Sequence, residues 1–134
     1  MKFLDTNVLV YAADEGDMAK FERACDIVES ATKGNGFVIS AQVVNEFTSV
    51  MYRKLKKPDD EVKDLLSVIE AIRTVPVSPE WTRVAIEIKV QYNLQFYDSL
   101  LLAAAKAQGC DEFWSEDLND GQLYCGIKAV NPFK

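Results

Sequence analysis

Apolar and polar positions fall into short apolar runs separated by longer stretches of helical period. Lys2–Asp5 (KFLD) is a buried strand by composition, and DTNVLVYAAD turns from it into a brief helix with Thr6 or Asn7 as cap. A second helix is predicted over Asp17–Lys33. Phe21, Ala24, Cys25 and Val28 form its i, i+3, i+4, i+7 stripe, and Gly34-Asn35-Gly36 stops it. Gly36–Ser40 is the next strand, with Ser40 placed to cap the helix AQVVNEFTSVMYRKLKK. Pro58-Asp59-Asp60 breaks that helix and starts another that reaches about Arg73, with Leu65, Val68, Ile69 and Ile72 as its apolar face. Thr74–Ser78 is a short strand limited by Pro76, and Pro79 suits the first turn of a helix over Glu80–Tyr92. Phe96–Gln108 is the most apolar helix, ended by Gly109. A strand at Glu112–Ser115, the polar loop SEDLNDGQ and a last strand at Ile127–Pro132 complete the chain. Strands alternate with helices, and the strands are apolar throughout rather than every second residue. That pattern predicts an α/β fold with a parallel sheet covered on both faces.

The 134 residues suit one domain, 1–134, with a core large enough to need no staples. No apolar run is long enough to span a bilayer, and the N-terminal stretch lacks the small-residue cleavage site of a signal peptide. The expectation is a cytoplasmic protein with no membrane contact. Cys25, Cys110 and Cys125 form no C-x-x-C and no close pair, which suits reduced, inert thiols.

The net charge of −6 carries no basic footprint of the kind nucleic-acid binders usually show. It does not exclude a metal-dependent nuclease, which concentrates negative charge in its own site, where bound cations reverse the local field. One basic run, Arg53–Lys57, follows the middle of the third helix; it is either an approach path for RNA phosphates or a solvated helix end.

The chain has no histidine. That removes Ser-His-Asp and Cys-His systems, imidazole acid–base chemistry and the usual zinc sites. What remains for chemistry is a set of widely spaced acids: Asp5, Glu46, Asp98 and Asp117. Each has an ordinary reading. Asp5 is placed to cap or turn at a strand end. Glu46 shares a helix face with Val43 and Val50, where a carboxylate is costly unless paired, liganded or able to reach solvent. Asp98 sits in the first turn of the most apolar helix, where the helix dipole favours an acid. Asp117 lies in a turn-rich loop, with Asp120 as a competitor for its role. Their joint placement carries more. Asp5 and Asp117 follow strand ends on one edge of a parallel sheet, where ligands bind in open α/β folds; Asp98 begins a helix on that edge, and Glu46 lies low on another. Converging carboxylates repel one another and take up protons unless a cation is present. All-oxygen ligands select Mg²⁺ or Mn²⁺, and the natural reaction of such a site is phosphodiester hydrolysis.

LDTNVL, the Glu of ISAQVVNEF, FYDSLLLAAA and WSEDLNDGQ, in that order, resemble the motifs of PIN-domain ribonucleases, in particular the VapC-type toxins of toxin–antitoxin pairs. The likeness covers essentially the whole chain. It implies a PIN-like three-layer α/β/α sandwich with a short, mostly parallel central sheet, and a Mg²⁺- or Mn²⁺-dependent endoribonuclease. It also implies a homodimer and a small antitoxin as partner. The family's four acids fall on Asp5, Glu46, Asp98 and Asp117 as catalytic residues and metal ligands. Its accompanying polar positions fall on Thr6, Asn7 and Ser115, and Arg53 is added here as a substrate contact.

Two other phosphoryl-transfer designs fit less well. A haloacid-dehalogenase phosphatase needs a second Asp where Asn7 stands, and a response-regulator receiver needs a phospho-acceptor Asp where Ile39–Ser40 lie. The remaining alternative is a non-catalytic scaffold of the same fold, whose acids hold a structural cation or cap helices.

Overall fold

A computed structural model describes residues 1–134. Its elements run β1 (Lys2–Leu4), α1 (Thr6–Tyr11), α2 (Met18–Thr32), β2 (Phe37–Ser40), α3 (Ala41–Arg53) and α4 (Asp59–Ile69). They continue with β3 (Thr74–Val75), α5 (Trp81–Tyr92), α6 (Phe96–Ala107), β4 (Glu112–Trp114), β5 (Leu123–Tyr124) and β6 (Ile127–Val130). The six strands form one sheet in the order β3-β2-β1-β4-β6-β5. All pairings are parallel except β5 against β6.

Chain direction explains the layers. The steps β1 to β2 and β2 to β3 run one way across the sheet, and the step from β3 back to β4 runs the other way. Parallel crossovers are right-handed, so α1–α4 and the pair α5–α6 lie on opposite faces. The result is a three-layer α/β/α sandwich. The strands are apolar because both their faces are covered: Phe3, Leu4, Val38, Ile39 and Phe113 are fully or almost fully buried. Phe3 and Phe113 are register partners on β1 and β4, and their rings stack at 5.4 Å. Each such side chain contributes roughly 1.5–3 kcal/mol by leaving water. The last helix, α6, is buried from Ser99 through Ala105, as its apolar sequence requires.

Several expectations are corrected. The cap of α1 is Asp5 rather than Thr6 or Asn7; its side chain accepts from the Thr6 N–H. Ser40 occupies the N-cap position of α3, but its hydroxyl makes no capping bond. The basic run is not helical beyond Arg53. Lys56 adopts φ +53°, and the N–H groups of Leu55 and Lys57 reach back to the Val50 and Met51 carbonyls, which closes the helix early. In α4 the buried residues are Val62 and Ile69, whereas Val68 is 47% exposed. The two-residue strand β5 was not expected: it is too short to carry a period.

Candidate active site

The strand order reverses between β1 and β4, and a sheet of this kind offers its ligand crevice outside the carboxyl ends of the strands at that point. Asp5 leaves β1 there and Ser115 leaves β4. The Asp5 N–H donates to the Trp114 carbonyl at 3.0 Å, so the two strand ends are tied side by side. Asp5 Oδ1 accepts from the Thr6 N–H at 2.7 Å, and Oδ2 accepts from Ser115 Oγ at 2.7 Å. Ser115 Oγ in turn accepts from the Asp117 N–H at 3.0 Å. One buried hydroxyl thus couples the first acid to the backbone that carries the fourth.

Neighbouring helices bring the others. Glu46, half-buried on α3, accepts from Thr6 Oγ1 at 2.9 Å and, at 3.4 Å, from Gln42 Nε2. Asp117 Oδ2 accepts from Asn7 Nδ2 at 2.7 Å. Asp98 projects from the first turn of α6. All four acids line one hollow of about 420 Å³, together with Thr6, Asn7, Arg53 and Lys54. Ser115 lies behind it, fully buried and bonded to Asp5. Asp120, the competitor of Asp117, is engaged elsewhere: its carboxylate accepts from the Asn131 N–H at 2.8 Å.

The electrostatics are unfavourable by construction. Burial pushes the pKa of Asp5 up to about 7; the Ser115 and Thr6 bonds pull against it, and the charges of Asp98 and Asp117 add to the rise. Asp98 is also raised, first by burial and then by Asp117 and Glu46. None of the four acids enters an ion pair with the chain's own cations. Asn7 Oδ1 is buried with no partner, an unmet acceptor that faces an energetic cost in that state.

This donor set fits a hard divalent cation: every candidate ligand is an oxygen, and the site lacks positive charge where it is most needed. As the side chains stand, no three acids are arranged to hold one ion. The hydrogen bonds account for that, since Glu46 is turned to Thr6 and Asp117 to Asn7. Each of these two carboxylates keeps a second oxygen, Glu46 Oε2 and Asp117 Oδ1, outside those hydrogen bonds.

Sequence reasoning missed a second polar network at the rim. Tyr11 Oη donates a short bond to Glu116, Lys20 Nζ pairs with the other Glu116 oxygen at 2.8 Å, and Lys20 lies 4.9 Å from the Tyr11 ring centre. Tyr11 and Glu116 line the same hollow as the four acids. Contacts 96 and 105 residues apart leave no local signal. A separate hollow of about 370 Å³ between α1, α2, α3 and α4 is almost wholly apolar, with Glu29 its one acid, and offers no ligand set. No helix is long and apolar enough to cross a membrane.

Comparison with known proteins adds to this geometry. A family model described as "PIN domain" matches residues 2–119. No curated protein matches the chain in sequence. Among the solved structures similar to this chain are three that match over nearly their full lengths. One is the Mycobacterium tuberculosis VapC20 toxin, described as cleaving the sarcin-ricin loop, at 17% identity and TM-score 0.69, covering 96% of this chain and 99% of that one. The second is a toxin–antitoxin complex from Klebsiella pneumoniae, at 18% identity and TM-score 0.69, with 98% of each chain covered. The third is VapBC2 from Rickettsia felis bound to a DNA fragment from its promoter, at 17% identity and TM-score 0.71, with 97% of each covered. At these identities the likeness establishes the fold.

Proposed function

The chain belongs to the PIN-domain family, and from that premise we propose that it is a Mg²⁺- or Mn²⁺-dependent endoribonuclease that hydrolyses RNA phosphodiester bonds, the toxin of a type II toxin–antitoxin pair. The observation that carries this reading is the buried Asp5. It sits at the switch point of the sheet with no cation of the chain beside it and with Asp98 and Asp117 raising its pKa further. A structural cap does not need two more acids facing it, and a divalent-ion site does.

In this reading Asp5 and Asp98 are the principal ligands, and Glu46 and Asp117 complete the set. A divalent ion held there would neutralise the carboxylates and supply Lewis acidity toward a phosphodiester. The chain's own residues do the rest. Ser115 fixes the rotamer of Asp5 and, through its bond from the Asp117 N–H, the height of the loop after β4. Thr6 and Asn7 orient Glu46 and Asp117 through one oxygen each. Arg53 and Lys54 stand on the wall of the hollow, where their charge meets substrate phosphates. The toxin role and a small antitoxin partner are supported by the similar structures, two of which are toxin–antitoxin assemblies. A homodimer is proposed on the family likeness alone.

The test is RNA cleavage by purified protein, with Mg²⁺ or Mn²⁺, with chelator, and with Asp5→Asn and Asp98→Asn. Cleavage that needs metal and is lost in both variants supports the reading. Cleavage that survives both substitutions moves the site elsewhere. No cleavage and no Mn²⁺ binding dependent on these aspartates would leave a non-catalytic scaffold of the same fold.

A further inference from the structure

The carboxylate hollow does not end at Glu46. One face of α3 carries Gln42, Asn45, Glu46, Ser49 and Arg53 at i, i+3, i+4, i+7 and i+11, so a polar stripe runs the length of the helix. Glu46 and Ser49 line the carboxylate hollow on one side and a second hollow of about 460 Å³ on the other. The second hollow is also lined by Asn45 and by Tyr97, the residue before Asp98. Its volume lies within the range of small-molecule clefts.

The chemistry of the two hollows differs. Arg53 and Lys54 stand in the first, whereas no lysine or arginine lines the second. A phosphate therefore has a place at one end of the stripe and, with Glu46 at the border, is repelled from the other. What the second hollow offers is mostly apolar surface, from the Tyr97 ring, Val77 and Leu100, edged by the neutral hydrogen-bonding groups of Gln42, Asn45 and Ser49. Tyr97 is 63% exposed, large for an aromatic ring beside a polar site. It is also held in place. Phe96 packs edge-on against its ring at 5.3 Å, and Gln42 Nε2 donates to its carbonyl at 3.1 Å. Asn45 is exposed beside it, with one donor group and one acceptor group to present.

We propose that this second hollow is a nucleobase subsite: the base next to the cleaved phosphodiester lies on the Tyr97 ring and its polar edge meets Asn45. The inference rests on the ribonuclease reading and sharpens it. A base can lie on a side chain only when it is out of its own stack, so the substrate is RNA unpaired at that nucleotide. The strand then runs along α3, with phosphates toward Arg53 and Lys54, the reacting linkage over the acids, and the base at Tyr97.

The experiment uses short single-stranded oligoribonucleotides, one series intact and one abasic at the nucleotide flanking the cleavage position. Cleavage (kcat and KM separately) and binding by fluorescence anisotropy are measured for the wild type, Tyr97→Ala, Tyr97→Phe and Asn45→Ala. Tyr97→Ala is expected to raise KM roughly tenfold while kcat changes little, and Tyr97→Phe to stay near wild type, because the ring and not the hydroxyl supplies stacking. Asn45→Ala is expected to change the preference among bases at that nucleotide. The abasic RNA should cost the wild type at least what Tyr97→Ala costs, and cost Tyr97→Ala clearly less than it costs the wild type, because only the Asn45 contact is then left to lose. Independent, additive losses would overturn the subsite. So would a Tyr97→Ala variant that changes oligomeric state by light scattering, with KM following subunit association; Tyr97 would then be a contact between copies. If the wild type cleaves nothing yet binds these RNAs in a Tyr97-dependent way, the ribonuclease reading falls and the base subsite stands. If it cleaves without regard to Tyr97, the subsite falls and the ribonuclease stands. Neither cleavage nor binding removes both.

Discussion

Asp5 and Asp111 stand at opposite ends of the same pair of strands. Asp111 lies just before β4, at the amino end of the sheet, where its backbone N–H donates to the Met1 carbonyl. Its side chain is 80% exposed and pairs at 2.9 Å with the N-terminal ammonium, which holds it below the usual carboxylate range. Asp5 lies just after β1, at the carboxyl end, buried and facing other acids, with its pKa pushed up to about 7. The residue type is the same and the strands are the same. One end supplies a cation and water to its acid. The other withholds both and adds like charge. Proteins keep such an arrangement where something from outside completes it.

The comparison breaks most directly at Asp5 and Asp98. On the proposed reading Asp5→Asn and Asp98→Asn each remove a principal ligand, so each is expected to take RNA cleavage below detection. Their stability should move the other way. A carboxyl whose folded pKa is raised keeps its proton in the folded state at pH values where the unfolded chain has lost it. Metal-free wild type therefore loses stability as pH rises from about 4 through about 7. Asp5→Asn cannot titrate, so its thermal midpoint should be flatter over that window and higher than wild type above pH 7. Thermal melts of both proteins in chelator check this, and a less stable Asp5→Asn at pH 8 would contradict the picture of a strained acid.

The next effect is of the ion itself. Mn²⁺ should raise Tm of the wild type at pH 8 by more than at pH 5, since protons compete for the same carboxylates. The increment should vanish in Asp5→Asn. An equal increment in both proteins would put the ion somewhere else.

Smaller effects are expected from residues that touch the acids without being ligands. Ser115→Ala removes the bond to Asp5 Oδ2 and the acceptor for the Asp117 N–H, and should cost roughly 10–100-fold in activity or metal affinity. Because the Ser115 bond lowers the Asp5 pKa, its loss should also shift the stability change in chelator to higher pH. Lys20→Met acts one step further out. Burial works to raise the pKa of Glu116, and the Lys20 and Tyr11 bonds hold it below its ordinary value all the same. Without Lys20 the segment carrying Glu116 and Asp117 loses its tie to α2, and a few-fold loss of metal affinity is expected, read by Mn²⁺ titration.

The sequence made the acid side of this comparison legible and left most of its surroundings hidden. Apolar strands alternating with helical periods led to the parallel α/β sandwich, and strand ends pointed to Asp5 and Asp117 because a sheet's carboxyl edge is set by local order alone. Helix period put Glu46 on a face with Val43 and Val50, where a carboxylate is out of place; that the same side chain borders a polar stripe with Gln42, Ser49 and Arg53 shows only in the fold. What stayed hidden depends on chain crossings. The Tyr11–Glu116–Lys20 network joins α1, α2 and the loop after β4, and no local pattern announces it. Which residue caps α1 stayed open in the sequence, because Asp5, Thr6 and Asn7 are all cap-forming types and only the backbone turn selects Asp5. Arg53 and Lys54 belong to a run that reads as a solvated helix end, and only the fold shows that both stand on the wall of the hollow.

The smallest effect is expected at the other end of the sheet, and it is the control on which the rest depends. Asp111→Asn removes an exposed ion pair with the N-terminal ammonium. Exposed pairs contribute little, because both charges are well solvated when apart. The sign of its pH dependence is opposite to that of Asp5. A carboxyl whose folded pKa is lowered stabilises the folded state above its unfolded pKa, and that contribution is lost as pH falls through its folded value. Asp111→Asn should therefore differ from wild type only slightly at neutral pH and by less as pH falls, with RNA cleavage unchanged. Melts at pH 3 and pH 7, beside a cleavage assay, measure it. If Asp111→Asn cost as much activity as Ser115→Ala, the two ends of the sheet would be coupled, and the contrast between a strained acid and a satisfied one would no longer locate the site.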